Sequence, residues 1–175
     1  MEQSEIYPIG TYVPAPYTDE ERVRRINHIR DLPKMLEAAI HDLSADELQQ
    51  SYRSGSWSIH ELVHHVSDSH AVAFLRTKLT LTVNEPVLPV YPQERFVETA
   101  DVVHLPCNLS LTQLHVIHTK WYEILSRVEG PDWDRTGYHP EQETTMTLWH
   151  LLGLYAWHGH HHAMQIMRWR ERNGR

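Results

Sequence analysis

Trp157-His158-Gly159-His160-His161-His162 puts four imidazoles into five consecutive positions near the end of an apolar-periodic segment. On a helix, His158 and His162 stand one turn apart on the same face. That is the spacing at which two imidazoles grip one metal ion. Both fall on the apolar stripe Leu148, Leu151, Leu152, Tyr155, His158, His162, Ile166 and Trp169. An imidazole turned into a core must be satisfied, either by hydrogen bonds or by a metal. His161, three after His158, is a substitute for His162, although the two point about 100° apart on a helix. His160 faces away from His158 and is expected in solvent.

An earlier segment offers His60, His64, His65 and His70. Leu62 and Val66 place His65 on the core side and His64 nearer the edge. His65 with His158 and His162 gives three neutral nitrogen ligands. Three ligands and a vacant position make the catalytic type of metal site, whereas structural zinc is closed by four. The set suits zinc, nickel or copper, so ligand type alone does not choose the ion. Asp68 lies three after His65 and shares its face. It is a candidate ligand, orienting partner or catalytic proton acceptor, or else an ordinary surface carboxylate. His28, His41, His104, His115, His118, His139 and His150 read as structural or exposed. Cys107 is a remote ligand candidate.

The elements that must position these residues are helices. Residues 1–17, with Pro8, Gly10, Pro14 and Pro16, read as an extended surface arm. Thr18-Asp19-Glu20-Glu21 has capping-box form and opens a helix over about 19–41, with Pro33 as a kink. Residues 43–56 read as loop with a short turn near 45–48. Ser58-Ile59-His60-Glu61 opens a second helix over about 58–81. The proline-rich 82–108 stretch reads as a long connection with one turn of helix near 93–97. A third capping box at Ser110-Leu111-Thr112-Gln113 opens a helix over about 110–128, stopped at Gly130-Pro131. Residues 129–144 read as a polar loop. A fourth helix starts near Thr145 or Thr147 and ends in a basic tail that matches the helix C-terminal dipole. With no strand pattern, the fold class expected is all-α, a four-helix bundle in one domain over 1–175.

Composition bounds the function. The 16 basic and 23 acidic side chains leave a net charge of −7, which argues against a nucleic-acid partner. No apolar run reaches the length of a membrane span, so no membrane partner is expected. MEQSEIYPIG has neither a charged leader nor an apolar core. With one cysteine, this suits a cytoplasmic protein. Fifteen histidines among 175 residues are the anomaly.

Several stretches together resemble the DinB/YfiT-like superfamily of metal-binding four-helix bundles, and within it the YfiT-type metal-dependent hydrolases. These are YPIG at 7–10, YRSGSWSIHELVHHVSDSH at 52–70, FLRTKLTLT at 74–82, RTGYHPE at 135–141 and TTMTLWHLLGLYAWHGHHHAMQI at 144–166. The resemblance implies an up-down-down-up bundle with a long crossover between the second and third helices. It also implies metal ligands at His65, His158 and His162, and a cytoplasmic homodimer. Val83-Asn84 and Met164-Gln165 depart from the family pattern. Both are expected to affect the pocket rim without touching the ligands.

The function expected is hydrolysis of a small-molecule substrate by water activated at a three-histidine divalent metal, zinc or nickel. One alternative is a metal-dependent transferase using a small thiol of the bacillithiol kind, as in other members of the superfamily. The other is a non-catalytic metal-binding interaction domain.

Overall fold

Side-chain caps fix where three of the four long helices begin. The Thr18 hydroxyl accepts from the Glu21 N–H at 3.1 Å and opens α1 (Asp19–Ile40). Ser58 and Glu61 form a complete capping box at the start of α3 (Ile59–Thr82). Thr147 accepts from the His150 N–H at 3.0 Å and opens α7 (Leu148–Arg172). The fourth long helix is α6 (Asn108–Leu125); α2 (Ala45–Leu48), α4 (Gln93–Phe96) and α5 (Ala100–His104) are short. These elements come from a computed structural model that describes residues 6–175. The first five residues of the expected N-terminal arm lie outside the described residues.

Three expectations are corrected. The capping box at Ser110 is not used, because α6 starts at Asn108 and the Gln113 N–H already lies inside the helix. Ser110 is buried and donates its hydroxyl to His64 Nδ1 at 2.9 Å. The 129–144 stretch is not plain loop: β1 (Thr136–His139) pairs antiparallel with β2 (Thr144–Thr147), Thr136 opposite Thr147 and His139 opposite Thr144. Strands of four residues are too short to display an alternating pattern. The crossover carries two short helices, and Leu88 donates its N–H to the Tyr138 carbonyl at 2.8 Å, tying it to the hairpin.

Side-chain contacts fix the helix directions. α1 and α7 run parallel: Arg25 lies 4.1 Å over the Trp149 ring near one end, and Arg170 donates to the Ala39 carbonyl at 3.2 Å near the other. α3 runs antiparallel to α7, with His65 3.3 Å from His158 and Arg76 2.7 Å from Tyr155. α6 runs parallel to α3, with Ser110 on His64 and Trp121 on Thr77 at 3.0 Å. The order is therefore up-down-down-up. A parallel α3–α6 pair requires residues 83–107 to carry the chain back along the bundle.

α7 comes close to α1 because it carries glycine where they meet. A Cβ at Gly159 would stand 2.2 Å from Leu32 Cδ2, and one at Gly153 would stand 2.3 Å from Arg25 Nη1. The core divides into two apolar clusters. One holds Leu36, Leu62, Leu114 and Ile166; the other holds Ile29, Trp121, Leu148 and Leu152. Buried His70 and His118 lie between them. The arm runs against α7, where its carbonyls at Ala15, Gly10 and Ile6 accept from Trp149, Trp157 and Gln165.

Candidate metal centre

α7 delivers His158 and His162 one turn apart, with their Nε2 atoms 3.2 Å from each other. α3, packed antiparallel against it, brings His65 Nε2 to 3.3 Å from His158 Nε2. The three ligating atoms lie within 4.8 Å of one another. The sequence-expected ligand set is thus brought together by two helices.

The partners of the other ring nitrogens favour one tautomer for each ligand. His162 Nδ1 lies 2.7 Å from Gln165 Oε1, which only accepts, so Nδ1 carries the proton. Gln165 is itself held by donating to the Ile6 carbonyl at 2.9 Å. Tyr91 donates its hydroxyl to the His65 carbonyl at 3.4 Å and accepts from His65 Nδ1 at 3.2 Å. Gln165 therefore touches a ligand directly, contrary to the expectation that Met164-Gln165 leaves the ligands untouched, while it also lines the cavity at the cluster.

His158 is fixed by a longer row. Its Nδ1 faces His70 Nε2 at 3.2 Å, and His70 Nδ1 faces His118 Nε2 at 3.0 Å. His118 Nδ1 ends the row on the Ile29 carbonyl. A carbonyl cannot donate, so the protons lie on Nδ1 of His118, then of His70, then of His158. The anchor carbonyl is free because Pro33, four residues on, has no N–H to close the helical bond. The row crosses the bundle from α7 through α3 and α6 to α1. It leaves an unprotonated Nε2 on His158, as on His65 and His162.

Burial keeps these imidazoles neutral. His65, His70, His158 and His162 are all held well below the usual histidine pKa, first by desolvation and then by neighbouring histidines. The His158 Nε2 lone pair stands 3.3 Å from that of His65 and 3.2 Å from that of His162, and such lone pairs repel unless a cation shares them. A tetrahedral ion with Zn–N bonds of about 2.05 Å has nitrogen–nitrogen edges of about 3.3 Å. The donor set fits a divalent metal in chemistry and in spacing.

Two cavities reach the cluster. One of about 670 Å³ is walled by Trp57, Glu61, His65, His158, His161 and His162 among others. Another of about 520 Å³ shares His158 with it and is lined by Arg76, Tyr155 and His139 among others. Glu94 lines both.

Asp68 lines neither cavity. Burial and the Asp101 charge raise its pKa to about 6, and its own charge acts on Tyr91. That tyrosine in turn contacts His65 Nδ1. His161, the reserve ligand, stacks on Trp157 with ring centres 4.7 Å apart and is not in the three-histidine group. His160 is half-buried against His28 rather than free in solvent. His64 is buried, not at the edge: it bonds the Leu105 carbonyl at 3.2 Å and Ser110. Cys107 is buried in the apolar cluster near Leu111, with its thiol pKa raised by burial.

Sequence reading missed the supporting residues. His70 is five after His65, so it looks toward a different helix, and no local spacing pairs it with His158. The Ile29–Pro33 spacing was the available signal, since a proline inside a helix always frees the carbonyl four residues back.

A model of the DinB superfamily matches residues 28–166. A Bacillus mycoides protein named "Putative metal-dependent hydrolase" is 41% identical over 168 residues, covering 95% of each chain. A Geobacillus thermodenitrificans protein of the same name is 38% identical over 169 residues, covering 96% of this chain and 95% of its own. The solved structure of YfiT from Bacillus subtilis superposes with a TM-score of 0.94 at 32% identity, covering 98% of both chains. It is described as "a probable metal-dependent hydrolase with an unusual four-helix bundle topology". Among the described residues, no helix is long and apolar enough to cross a membrane.

Proposed function

The chain belongs to the DinB superfamily, and on that premise we propose that it is a hydrolase working through a divalent metal, zinc or nickel, held by His65, His158 and His162. The observation that carries this reading is the convergence of three unprotonated Nε2 atoms, each with its Nδ1 proton committed elsewhere. The names of the relatives support it. A divalent ion at such a site lowers the pKa of coordinated water and polarises an electrophile.

The chain's own groups do the rest. Gln165, Tyr91 and His70 keep the three Nε2 lone pairs aimed at one point, so little reorganisation is needed when the ion binds. Trp57 and Trp157 supply apolar wall to the larger cavity. Glu61 also lines it, but its Oε2 is engaged by the Ser58 N–H at 2.7 Å and hydroxyl at 2.8 Å. Glu94 borders both cavities without an ion-pair partner among the described residues. We assign its carboxylate as the acceptor of the water proton.

Elemental analysis of the purified protein is expected to give one divalent ion per chain, lost in His158→Ala and His162→Ala. The metal-loaded protein is expected to hydrolyse activated esters such as 4-nitrophenyl acetate. Unchanged metal content in both variants overturns the ligand assignment. Turnover that requires an added small thiol, with none in water alone, replaces hydrolysis by thiol transfer.

A further inference from the structure

Arg76 is a buried cation that the proposed hydrolysis does not use. It is only 4% exposed, and among the described residues no carboxylate lies within 4.0 Å of it. Its guanidinium donates from Nε at 3.0 Å and Nη2 at 2.6 Å to the Pro89 carbonyl, and from Nη1 at 2.7 Å to the Tyr155 hydroxyl. These bonds use three of its five N–H groups. Neutral partners do not offset the cost of burying a full positive charge.

The same cavity holds a second unsatisfied group. His139 is 4% exposed, lines the cavity with Arg76, and its buried Nδ1 has no hydrogen-bond partner among the described residues. The hairpin places it there, beside the crossover that Arg76 straps down through Pro89. Glu94 and Glu141 are the carboxylates of this wall; both are exposed at its outer part. Glu141 accepts from the Tyr91 N–H at 3.5 Å.

The cavity also touches the metal centre. His158 forms part of its wall, and the Tyr155 that accepts from Arg76 has its ring 5.9 Å from the His158 ring. Tyr155 and His158 are three residues apart on α7, so they share a face. Three neutral imidazoles leave the charge of a divalent ion uncompensated, which adds to the positive field. We propose that this cavity is a subsite for an oxyanion group of the substrate, a carboxylate or phosphate. It would be held by the free N–H groups of Arg76 with His139, while the scissile bond lies at the metal. Calling that anion part of a substrate rests on the hydrolase reading; the anion site itself does not.

The test is binding, not turnover. Zinc-loaded protein is titrated with succinate and, separately, with inorganic phosphate. The readouts are calorimetry and the NMR signal of the Arg76 Nε–H. Saturable binding that shifts this signal is expected, with the tighter anion identifying the group. Arg76→Gln should weaken it at least about tenfold, as for loss of charged hydrogen bonds. Arg76→Lys should recover part of the affinity, because it restores charge without the fork. His139→Leu, which keeps the apolar wall, should weaken binding and covers the case in which Arg76→Gln does not fold. Equal affinity in wild type, Arg76→Gln and His139→Leu would mean that the anion sits on the metal, and the subsite is wrong. Absence of binding by either anion also overturns it. Anion binding without esterase activity keeps the subsite and discards the hydrolase. Esterase activity with no preference for an anionic ester keeps the hydrolase and discards the subsite's role.

Discussion

Replacing His118 with leucine interrogates the histidine row without touching a metal ligand. His118 donates to the Ile29 carbonyl and accepts from His70 at 3.0 Å. Leucine removes both bonds and strands two buried groups. At about 1–3 kcal/mol each, the loss is about 2–6 kcal/mol. Leucine's own burial returns about 2 kcal/mol, so the net destabilisation is about 0–4 kcal/mol. The metal effect is separate. Once Nδ1 of His70 has no acceptor, its proton can move to Nε2, where it faces Nδ1 of His158. His158 must then hold its proton on Nε2, the atom that has to ligate. Zinc affinity is expected to fall about 10–100-fold, as for other groups that orient metal ligands. That equals about 1.4–2.7 kcal/mol. Competition with a chromophoric chelator at pH 7.5 measures the affinity, nitrogen NMR of the imidazoles reports the His158 tautomer, and urea unfolding gives stability. His118→Gln restores one donor and one acceptor, and should bind within about a factor of three of wild type. A folded His118→Leu protein with unchanged zinc affinity and His158 still protonated on Nδ1 refutes the argument.

The metal-free protein should be acid-labile. Burial holds His65 and His70 well below 6.5 and His118 down to about 4, so on acidification the unfolded chain binds these protons first. Their contribution is fully present above about 6.5 and is lost below it, at up to about 4 kcal/mol per pH unit for three groups; urea midpoints that stay level from pH 7.5 to 5.5 contradict this. Gly159→Ala places a Cβ 2.2 Å from Leu32 Cδ2 and should cost about 1–3 kcal/mol, seen as a lowered Tm. The Leu32→Ala, Gly159→Ala pair should then show a favourable coupling energy, and strict additivity argues against the clash. Glu94→Gln should depress kcat for ester hydrolysis with metal content intact, while Asp68→Asn should leave both nearly unchanged. The opposite ranking returns the proton-acceptor role to Asp68.

Sequence periodicity located the four long helices because each must bury one stripe, and the capping boxes read at Thr18 and Ser58 marked where two of them start, whereas the one read at Ser110 is not used. Local spacing also selected His158 and His162, since i and i+4 share a face in any helix. These features depend on neighbours within a turn or two, so the chain alone carries them. The helix directions came with the family resemblance and not from periodicity. The hairpin was missed because four-residue strands draw their stability from the crossover packed beside them.

The site's working parts depend on groups far apart in sequence. Ile29, His70, His118 and His158 lie on four different helices, and only packing aligns them into one row. Nothing near His139 or Arg76 in sequence brings the two to one cavity; the return of the crossover and the fold of the hairpin do. The sequence by itself determined which residue types could ligate a metal and on which helical face two of them lie. The tertiary structure decided which partner each imidazole meets, which carboxylates border the site, and where a buried positive charge has only neutral partners among the described residues. Proton positions and burial are set by contacts across the bundle, and these exist only once α3, α6 and α7 have packed around α1.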